Sequence, residues 1–317
     1  MCYHRRMSRW KWPFRLSLYV GLGVAAQLIW GSYPPAAKRA LQEVPKFSLL
    51  FLGTGASALA GLWLMWREET RAPREIWRFL TGEKAMWALA VVVALRSLSN
   101  IFAIDFTRAT WVQLVYLMTP FAVAILGALF FGEPTPPYTY QALVLSSVGA
   151  ALTLVRDWSD VRAGFTSRDF IGLGLAVLSM LLLSLYFQLV RRNSRRDAGR
   201  GMIIAQQGLA MMTTYAILST ATGESWSAWL HLSAAGWGVV LWLVFGIFTL
   251  GNVLQVTALG GANAALITSL MPLRLVSAVA LGWLLLGERL STPLQWLGAV
   301  LVLLTVSAYL WMQSRRG

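Results

Sequence analysis

The sequence predicts an all-α integral membrane protein with ten transmembrane helices, arranged as two inverted five-helix repeats. Hydrophobic residues make up 57% of the 317 residues and charged residues only 13%, about half the charged fraction of a soluble domain. The apolar residues also occur in runs of about 20, the length at which a helix spans a bilayer. Finally, similar residues recur in the same order along the two halves of the chain.

Ten apolar segments are the candidate membrane helices. They are 16–37, 47–66, 85–104, 110–131, 138–155, 170–190, 202–221, 236–256, 262–286 and 295–312. They divide the chain into an N-terminal segment (1–15), a first repeat (16–155), a connecting loop (156–169), a second repeat (170–312) and a C-terminal segment (313–317). The first segment is longer than the apolar region of a signal peptide, so we expect it to be retained as a helix.

The distribution of Lys and Arg predicts the orientation. If the N-terminus is cytoplasmic, the cytoplasmic segments carry 17 of the 27 basic residues and the outer loops carry 8. Cytoplasmic loops of membrane proteins are enriched in basic residues. We therefore expect a multi-pass protein of the cell (inner) membrane with both termini in the cytoplasm.

The composition also limits the chemistry. The net charge of +14 is explained by the basic loops, so no nucleic-acid partner is predicted. Cys2 is the single cysteine, and His4 and His231 are the two histidines, both outside the apolar segments. These counts exclude a disulfide framework and most zinc sites. We expect no metal and no cofactor.

An internal repeat is indicated by matches of nearly constant spacing. Gly21-Leu-Gly recurs as Gly172-Leu-Gly at an offset of 151, and Asn100 recurs as Asn252 at 152. Two helix ends also match, from Gly127 to Glu133 and from Gly282 to Glu288. A repeat of five helices enters the membrane from opposite sides in its two copies, a construction that carriers use to alternate access.

Several motifs resemble the EamA-type members of the drug/metabolite transporter superfamily, over nearly the whole chain. They are Trp30-Gly-Ser32, Leu117-Met-Thr-Pro120, Gly132-Glu133 and Leu281-Gly-Trp-Leu-Leu-Leu-Gly-Glu-Arg289. The resemblance implies a cavity between the halves, lined chiefly by helices 1, 3, 4, 6, 8 and 9, and alternating access without ATP. It does not define the substrate, because the family handles amino acids, nucleotide sugars, phosphorylated sugars and amphipathic drugs.

Two arginines fall inside predicted membrane helices. A charge at mid-helix costs roughly 3 kcal/mol on insertion scales, so it is rarely left facing lipid. Arg96 lies one turn from Asn100 on the same helix face, which predicts a polar strip toward the cavity; a pair with Asp105 or with backbone carbonyls is the alternative. Arg274 follows Pro272, which loosens the helix backbone; snorkelling to the membrane surface is its alternative.

Other polar and aromatic side chains lie on helices around the expected cavity. These additional candidate substrate-binding residues are Gln27, Trp30, Gln113, Tyr116, Tyr186, Gln188, Asn252 and Gln255. For each of them, hydrogen bonding between helices is an equally good explanation. Asp105 is the single acid near the membrane core and is the candidate for proton coupling.

The leading functional prediction is a secondary active transporter, not an enzyme. Two intramembrane arginines without a central carboxylate favour a small anionic or zwitterionic metabolite of the amino-acid or organic-acid type. The alternatives are an exporter of amphipathic drugs, of nucleotide sugars or of phosphorylated sugars, and a membrane enzyme acting on lipid. The expected partners are the substrate, membrane lipids and a coupling proton or counter-substrate.

Overall fold

The structure is a computed structural model in which residues 12–68, 74, 82–131, 137–154, 166–194, 199–261, 267, 270–271, 273–287 and 290–314 are described. These residues form helices and short connections, with no strand among them. The helices are α1 Trp12–Gly31, α2 Tyr33–Ala40, α3 Lys46–Glu68, α4 Lys84–Phe106, α5 Ala109–Tyr116, α6 Thr119–Phe131, α7 Thr139–Leu154, α8 Ser167–Ser194, α9 Arg200–Ala221, α10 Ala234–Leu241, α11 Asn252–Gly261, α12 Leu273–Leu286 and α13 Pro293–Ser314. A 3₁₀ turn covers Trp226–His231, and a π-helix, Trp242–Gly251, joins α10 to α11.

Six helical stretches within the described residues are long and apolar enough to cross a membrane. They are Lys46–Glu68, Lys84–Phe106, Trp111–Phe130, Ser167–Val190, Arg200–Ala221 and Ala234–Gly261. Shorter apolar helices cover Leu273–Leu286 and Pro293–Tyr309. Each of the ten predicted segments overlaps at least one helix, while the total of ten membrane spans stays a prediction.

Proline residues mark where two predicted helices are interrupted. The first segment breaks at Ser32, and Pro34 and Pro35 occupy the opening turn of α2, where the missing N–H has no helical partner to lose. The fourth segment breaks at Leu117 and Met118, just ahead of α6. Both interruptions lie in the interior of the helix bundle, since Ser32, Leu117 and Met118 are buried.

The π-helix is the second irregularity of the bundle. Its hydrogen bonds run from residue i to i+5, so each turn takes in one more residue than an α-helix. The hydroxyl of Thr249 follows the same spacing and donates to the carbonyl of Val244 at 2.8 Å. π-Segments occur frequently at functional sites, and this one supplies Phe248 to the cavity described below.

Helix α3 packs along its length against α9, and small residues allow the two backbones to approach closely. A Cβ atom built on Gly201 would lie 2.3 Å from the backbone nitrogen of Met65, and one on Gly61 would lie 2.3 Å from that of Ala205. Van der Waals packing through small residues is a main source of helix association in membranes. Gly61 and Gly201 are therefore points of close contact between the two helices.

Carboxylates join helices at the end of the bundle where α1 ends and α3 begins, here called the predicted outer end. Asp105 pairs with Lys46 at 2.6 Å and with Arg168 at 3.6 Å. The carboxylate of Glu224 accepts hydrogen bonds from the backbone N–H groups of Phe47 and Ser48, at 2.9 and 2.8 Å. These bonds cap the first turn of α3, where N–H groups have no partner within the helix.

Two further contacts involve glutamates that precede or end α3. At the predicted outer end, Glu43 accepts hydrogen bonds from the backbone N–H and the hydroxyl of Ser233, at 3.0 and 3.1 Å. At the opposite end, Glu68 accepts two hydrogen bonds from Nε of Arg200 at 2.9 and 2.8 Å, and pairs with its Nη2. Both ends of the bundle are therefore held by polar contacts between the two halves of the chain.

Candidate functional site

A narrow polar cavity lies in the middle of the bundle. Its lining residues come from α1–α4, α8, α9, the π-helix, α11 and α12: Trp30, Tyr33, Ser57, Val93, Arg96, Ser97, Asn100, Leu183, Tyr186, Gln207, Met211, Phe248, Asn252, Gln255 and Arg274. Its volume is about 20 Å³, which is close to the space that one water molecule needs. In this conformation the cavity is therefore contracted around its polar groups.

Arg274 is the most deeply buried cation of the cavity. Its side chain is 3% exposed. Its Nε–H donates to the amide oxygen of Gln27, and its Nη2 donates to the amide oxygen of Gln255 at 3.1 Å. Both acceptors are uncharged, so these bonds orient the guanidinium without neutralising its positive charge.

Arg96 faces the same cavity from α4. Its guanidinium carbon lies 5.9 Å from the centroid of the Trp30 ring and 5.5 Å from that of Tyr186. These distances correspond to cation–π contacts, in which the electron-rich face of a ring attracts a cation. Its buried Nε has no hydrogen-bond partner. Arg96 is thus held between two rings, with donor capacity left over.

Three aromatic rings form one wall of the cavity. The Phe248 ring contacts Tyr33 at 5.5 Å and Trp30 at 6.5 Å between centroids, with interplanar angles of 79° and 83°. Such edge-to-face pairs are a favoured aromatic geometry. Phe248 also fills the space beside Gly53, where a Cβ would come within 2.4 Å of the ring. The aromatic wall is therefore tightly packed.

Buried polar atoms without a partner at or beside this cavity are mainly donors. They include Nε of Arg96, Nε1 of Trp30, Nε2 of Gln27 and Nε2 of Gln207, against the acceptor Oδ1 of Asn100. Buried polar groups in proteins are nearly always hydrogen-bonded, so a cluster of unpaired ones calls for an explanation. A ligand rich in acceptor atoms would satisfy the donors.

The structure brings together most of the residues predicted from the sequence. Seven of the eleven predicted substrate-binding residues line the cavity: Trp30, Arg96, Asn100, Tyr186, Asn252, Gln255 and Arg274. Gln27 lies behind the lining and binds Arg274. Whether any of them binds substrate stays a prediction.

The other predicted residues lie away from the lining. The Tyr116 hydroxyl and Ser179 Oγ are 2.8 Å apart, and Ser179 donates to the carbonyl of Arg96 at 2.9 Å. Gln113 is buried with both amide atoms unpaired, and Gln188 is buried as well. Asp105 stands at the predicted outer end in its ion pairs with Lys46 and Arg168.

Three expectations from the sequence change. Asp105 is 2.6 Å from Lys46, so the alternative of a pair with Arg96 is not the one formed. Arg274 is buried between two amides and does not snorkel. The fourth predicted segment, 110–131, was also expected to line the cavity, and this is wrong for this cavity: within the described residues, its helices α5 and α6 contribute no lining residue. Helices α3 and α9 contribute Ser57 and Gln207 instead.

Several lining residues were missed by sequence reasoning. Polar ones are Tyr33, Ser57, Ser97 and Gln207, and apolar ones are Val93, Leu183, Met211 and Phe248. Ser97 follows Arg96 directly and Gln207 is an intramembrane amide, so both carried a usable signal. Apolar lining residues look like ordinary membrane-helix residues, and only the three-dimensional packing selects them.

Some residues of interest lie outside the described part of the chain. These are Glu133, Glu288 and Pro272. No group of three or more His, Cys, Asp or Glu side chains that could hold a metal ion occurs among the residues that are described.

Comparison with known proteins supports the resemblance predicted from the motifs. Residues 17–155 match the model of the EamA-like transporter family. One solved crystal structure superimposes with a TM-score of 0.66, covering 95% of this chain and 98% of its own at 17% sequence identity; at that identity the likeness shows a common fold. No curated protein matches the chain.

The predicted resemblance is therefore confirmed over the first half of the chain. It indicates a membrane transporter of the drug/metabolite type. The apolar helices agree with a multi-pass membrane protein.

Proposed function

We propose that this chain is a secondary active transporter that moves a small anionic or zwitterionic metabolite by alternating access. The observation that carries the proposal is one cavity with two guanidinium groups, Arg96 and Arg274, and no carboxylate among the described residues that line it. Arginine binds carboxylate and phosphate groups bidentately. A substrate with such a group supplies the missing countercharge.

The environment of Arg274 supports a role in binding rather than in stability. Removing a cation from water costs several kcal/mol, and a buried ion pair normally offsets part of that cost. Arg274 contacts Gln27 and Gln255, which are neutral. A structural arginine would gain more from a glutamate at either position, so the neutral partners keep the charge available for a ligand.

The pairing of helices supports alternating access. In the proposed repeat, α1 corresponds to α8, α4 to α10–α11, α6 to α12, α3 to α9 and α7 to α13. The contacts follow this correspondence: α1 packs on α11 and α12, as α8 packs on α4 and α6, while α3 pairs with α9 and α7 with α13. Such an arrangement lets the two halves exchange conformations and open the cavity to either side.

The cavity lies where the proposed repeats meet. Asn100 and Asn252 are repeat-matched at an offset of 152, as are Arg96 and Phe248, and all four line it. At about 20 Å³ it is smaller than the sites of metabolite ligands, which measure about 300 Å³ or more. Transport therefore requires the cavity to widen, and the contracted form is an intermediate between the two open ones.

The remaining elements of the proposal follow the sequence. We place the protein in the cell (inner) membrane, with both termini cytoplasmic, because of the basic residues in the corresponding loops. A counter-substrate or a proton would couple transport. Asp105 remains the proton candidate, and it lies at the predicted outer end in ion pairs with Lys46 and Arg168.

The test is transport by purified protein in liposomes, with carboxylates, amino acids, sugar phosphates and organic cations as solutes. Loss of either cavity arginine, in Arg96→Gln or Arg274→Gln, should lower the uptake of an anionic or zwitterionic substrate by about ten- to a hundredfold, since each charge-assisted bond contributes about 1.5–3 kcal/mol. The matched control is Arg192→Gln, which removes an exposed cation and should leave uptake at the wild-type level.

Uptake that stays unchanged in both cavity variants would refute the role of the two arginines. Uptake restricted to organic cations would refute the substrate class. Retained folding of the variants can be confirmed by thermal melts of the detergent-solubilised proteins.

A further inference from the structure

We infer that the substrate is an organic anion without an amino group, of the 2-oxo acid rather than the amino acid type. This inference rests on the proposed function and narrows its substrate class. Carboxylates of both types would bind the two arginines equally well. The rest of the cavity discriminates between them.

The unpaired hydrogen-bonding atoms around the cavity include more donors than acceptors. Among the described residues, buried donors without a partner lie on Trp30, Arg96 and Gln207 in the lining and on Gln27 just behind it. One buried acceptor without a partner lies on Asn100, and the neighbouring hydroxyl of Tyr215 can donate or accept. An ammonium group brings three more N–H donors and no acceptor. A keto or hydroxyl oxygen, in contrast, accepts hydrogen bonds and reduces the excess of donors.

The orientation of two of the amides is fixed by their partner. A side-chain amide can usually be turned over to exchange its donor and acceptor. Arg274 is a pure donor, so Gln27 and Gln255 must both direct their oxygen atoms toward it. The nitrogen of Gln27 therefore remains a donor, and rotating this amide would create no acceptor for an ammonium group.

The charge of the cavity lining also disfavours an ammonium group. Arg96 and Arg274 both line the cavity, and no Asp or Glu lines it within the part of the chain that the structure describes. Asp105 is engaged by Lys46 and Arg168 at the predicted outer end. An ammonium group entering this cavity would meet two like charges and no countercharge.

The aromatic rings of the cavity are further sites that attract a cation. Ring faces of Trp and Tyr bind ammonium groups in many proteins. Here the Trp30 and Tyr186 rings already face the guanidinium of Arg96, at 5.9 and 5.5 Å. An ammonium group would have to displace Arg96 from them.

The experiment compares pairs of ligands that differ only at this group. Purified protein is melted with pyruvate or alanine, 2-oxoisocaproate or leucine, phenylpyruvate or phenylalanine, and 2-oxoglutarate or glutamate. At a fixed ligand concentration, a ligand that binds the folded state raises its melting temperature by more the tighter it binds. Counterflow in liposomes is then measured for every pair in which either member shifts the melting temperature.

We expect at least one 2-oxo acid to bind and to be transported about tenfold or more better than its amino acid partner, because like charges placed together cost several kcal/mol. Equal or better transport of the amino acids would overturn the inference and leave the proposed transporter function intact. If no 2-oxo acid binds or moves, the inference is overturned; if no other anion or zwitterion moves either, the proposed function fails with it.

A variant provides an independent check. Asn100→Asp places a carboxylate in the cavity lining and should shift the preference toward the amino acid of each pair. Gln42→Glu adds the same charge at an exposed position and should leave the preference unchanged. An unaltered preference in Asn100→Asp, with both ligands still bound, would also overturn the inference.

Discussion

Arg274 on α12 donates its Nε–H to the side-chain oxygen of Gln27 on α1, a residue 247 positions earlier in the chain. The bond joins the first helix of one proposed repeat to the fourth membrane segment of the other. Gln27 does not line the cavity itself. Its oxygen holds the guanidinium of Arg274 and adds no charge to it.

Replacing the amide of Gln27 by a carboxylate should raise the stability of the protein while lowering its transport activity. In Gln27→Glu the new carboxylate would pair with Arg274, so we expect a higher melting temperature together with loss of anion binding and uptake. Gln27→Leu removes the acceptor and should destabilise the protein by about 1–3 kcal/mol, because a buried donor is left unsatisfied. Thermal melts with and without substrate check both. A Gln27→Glu protein that transports anions normally would contradict this role.

Close packing of α3 on α9 yields a prediction about glycine. Gly201→Ala should destabilise the protein by more than about 1 kcal/mol, because the added Cβ would lie 2.3 Å from the Met65 backbone and forces the helices apart. Gly174→Ala in α8 is the matched control, since no atom lies within 4 Å of its Cβ position. Unfolding of the two variants in denaturing detergent should differ; equal stability would show that the helices tolerate wider spacing.

The cap formed by Glu224 predicts a change in access to the cavity. Glu224→Gln weakens the hydrogen bonds to Phe47 and Ser48 at the start of α3, at a cost of about 1 kcal/mol. Such a cost corresponds to about a fivefold larger population opened at the predicted outer end. We expect a faster reaction of Ser57→Cys with an impermeant thiol reagent, measured in a Cys2→Ser background.

A neighbouring substitution controls for unspecific effects of this loop. Ser225→Ala alters the next residue, whose hydroxyl contacts Ser227 and not α3. It should leave the labelling rate unchanged. Labelling that is equally fast in wild type and in Glu224→Gln would argue that this end opens elsewhere.

The Glu43 contact predicts a pH dependence of stability. The hydrogen bonds from the backbone and side chain of Ser233, with the nearby Arg39, hold the pKa of Glu43 below its usual range. A lowered pKa in the folded state means that the carboxylate stabilises the fold above the ordinary glutamate pKa, and that this contribution is lost as the pH falls further. The melting temperature of wild type should exceed that of Glu43→Gln at neutral pH, and the difference should shrink below about pH 4. A constant difference across this range would contradict the assignment.

Much of the fold and part of the site follow from the sequence alone. Helices span membranes because every backbone group must be hydrogen-bonded within the segment, so the length of an apolar run locates a membrane helix. Pro34 and Pro35 mark the point where a helix is interrupted, because proline lacks the backbone N–H that a helix interior needs. Arg96 and Arg274 were identifiable because charge within an apolar helix is costly and therefore purposeful. A charged residue within an apolar stretch of sequence is therefore a strong signal of a functional position.

The contacts of these residues were not predictable. Sequence spacing places Arg96 and Asn100 on one face, but the two rings that hold Arg96 come from α1 and α8. The fourth predicted segment, 110–131, was expected to line the cavity. Its Tyr116 instead contacts Ser179. Which face of an apolar helix meets which neighbour depends on packing through small residues, and that information is spread over the whole chain.

The π-helix Trp242–Gly251 has a consequence for the direction of the polar side chains that follow it. Because its turns contain an extra residue, a helical wheel at about 100° per residue that starts at Ala234 loses phase before it reaches Asn252. The offset between repeat-matched residues likewise rises from 151 at Gly21 to 152 at Asn100, the change that one inserted residue produces. The phase of this single helix thus decides whether the amides of Asn252 and Gln255 point at the cavity or at lipid.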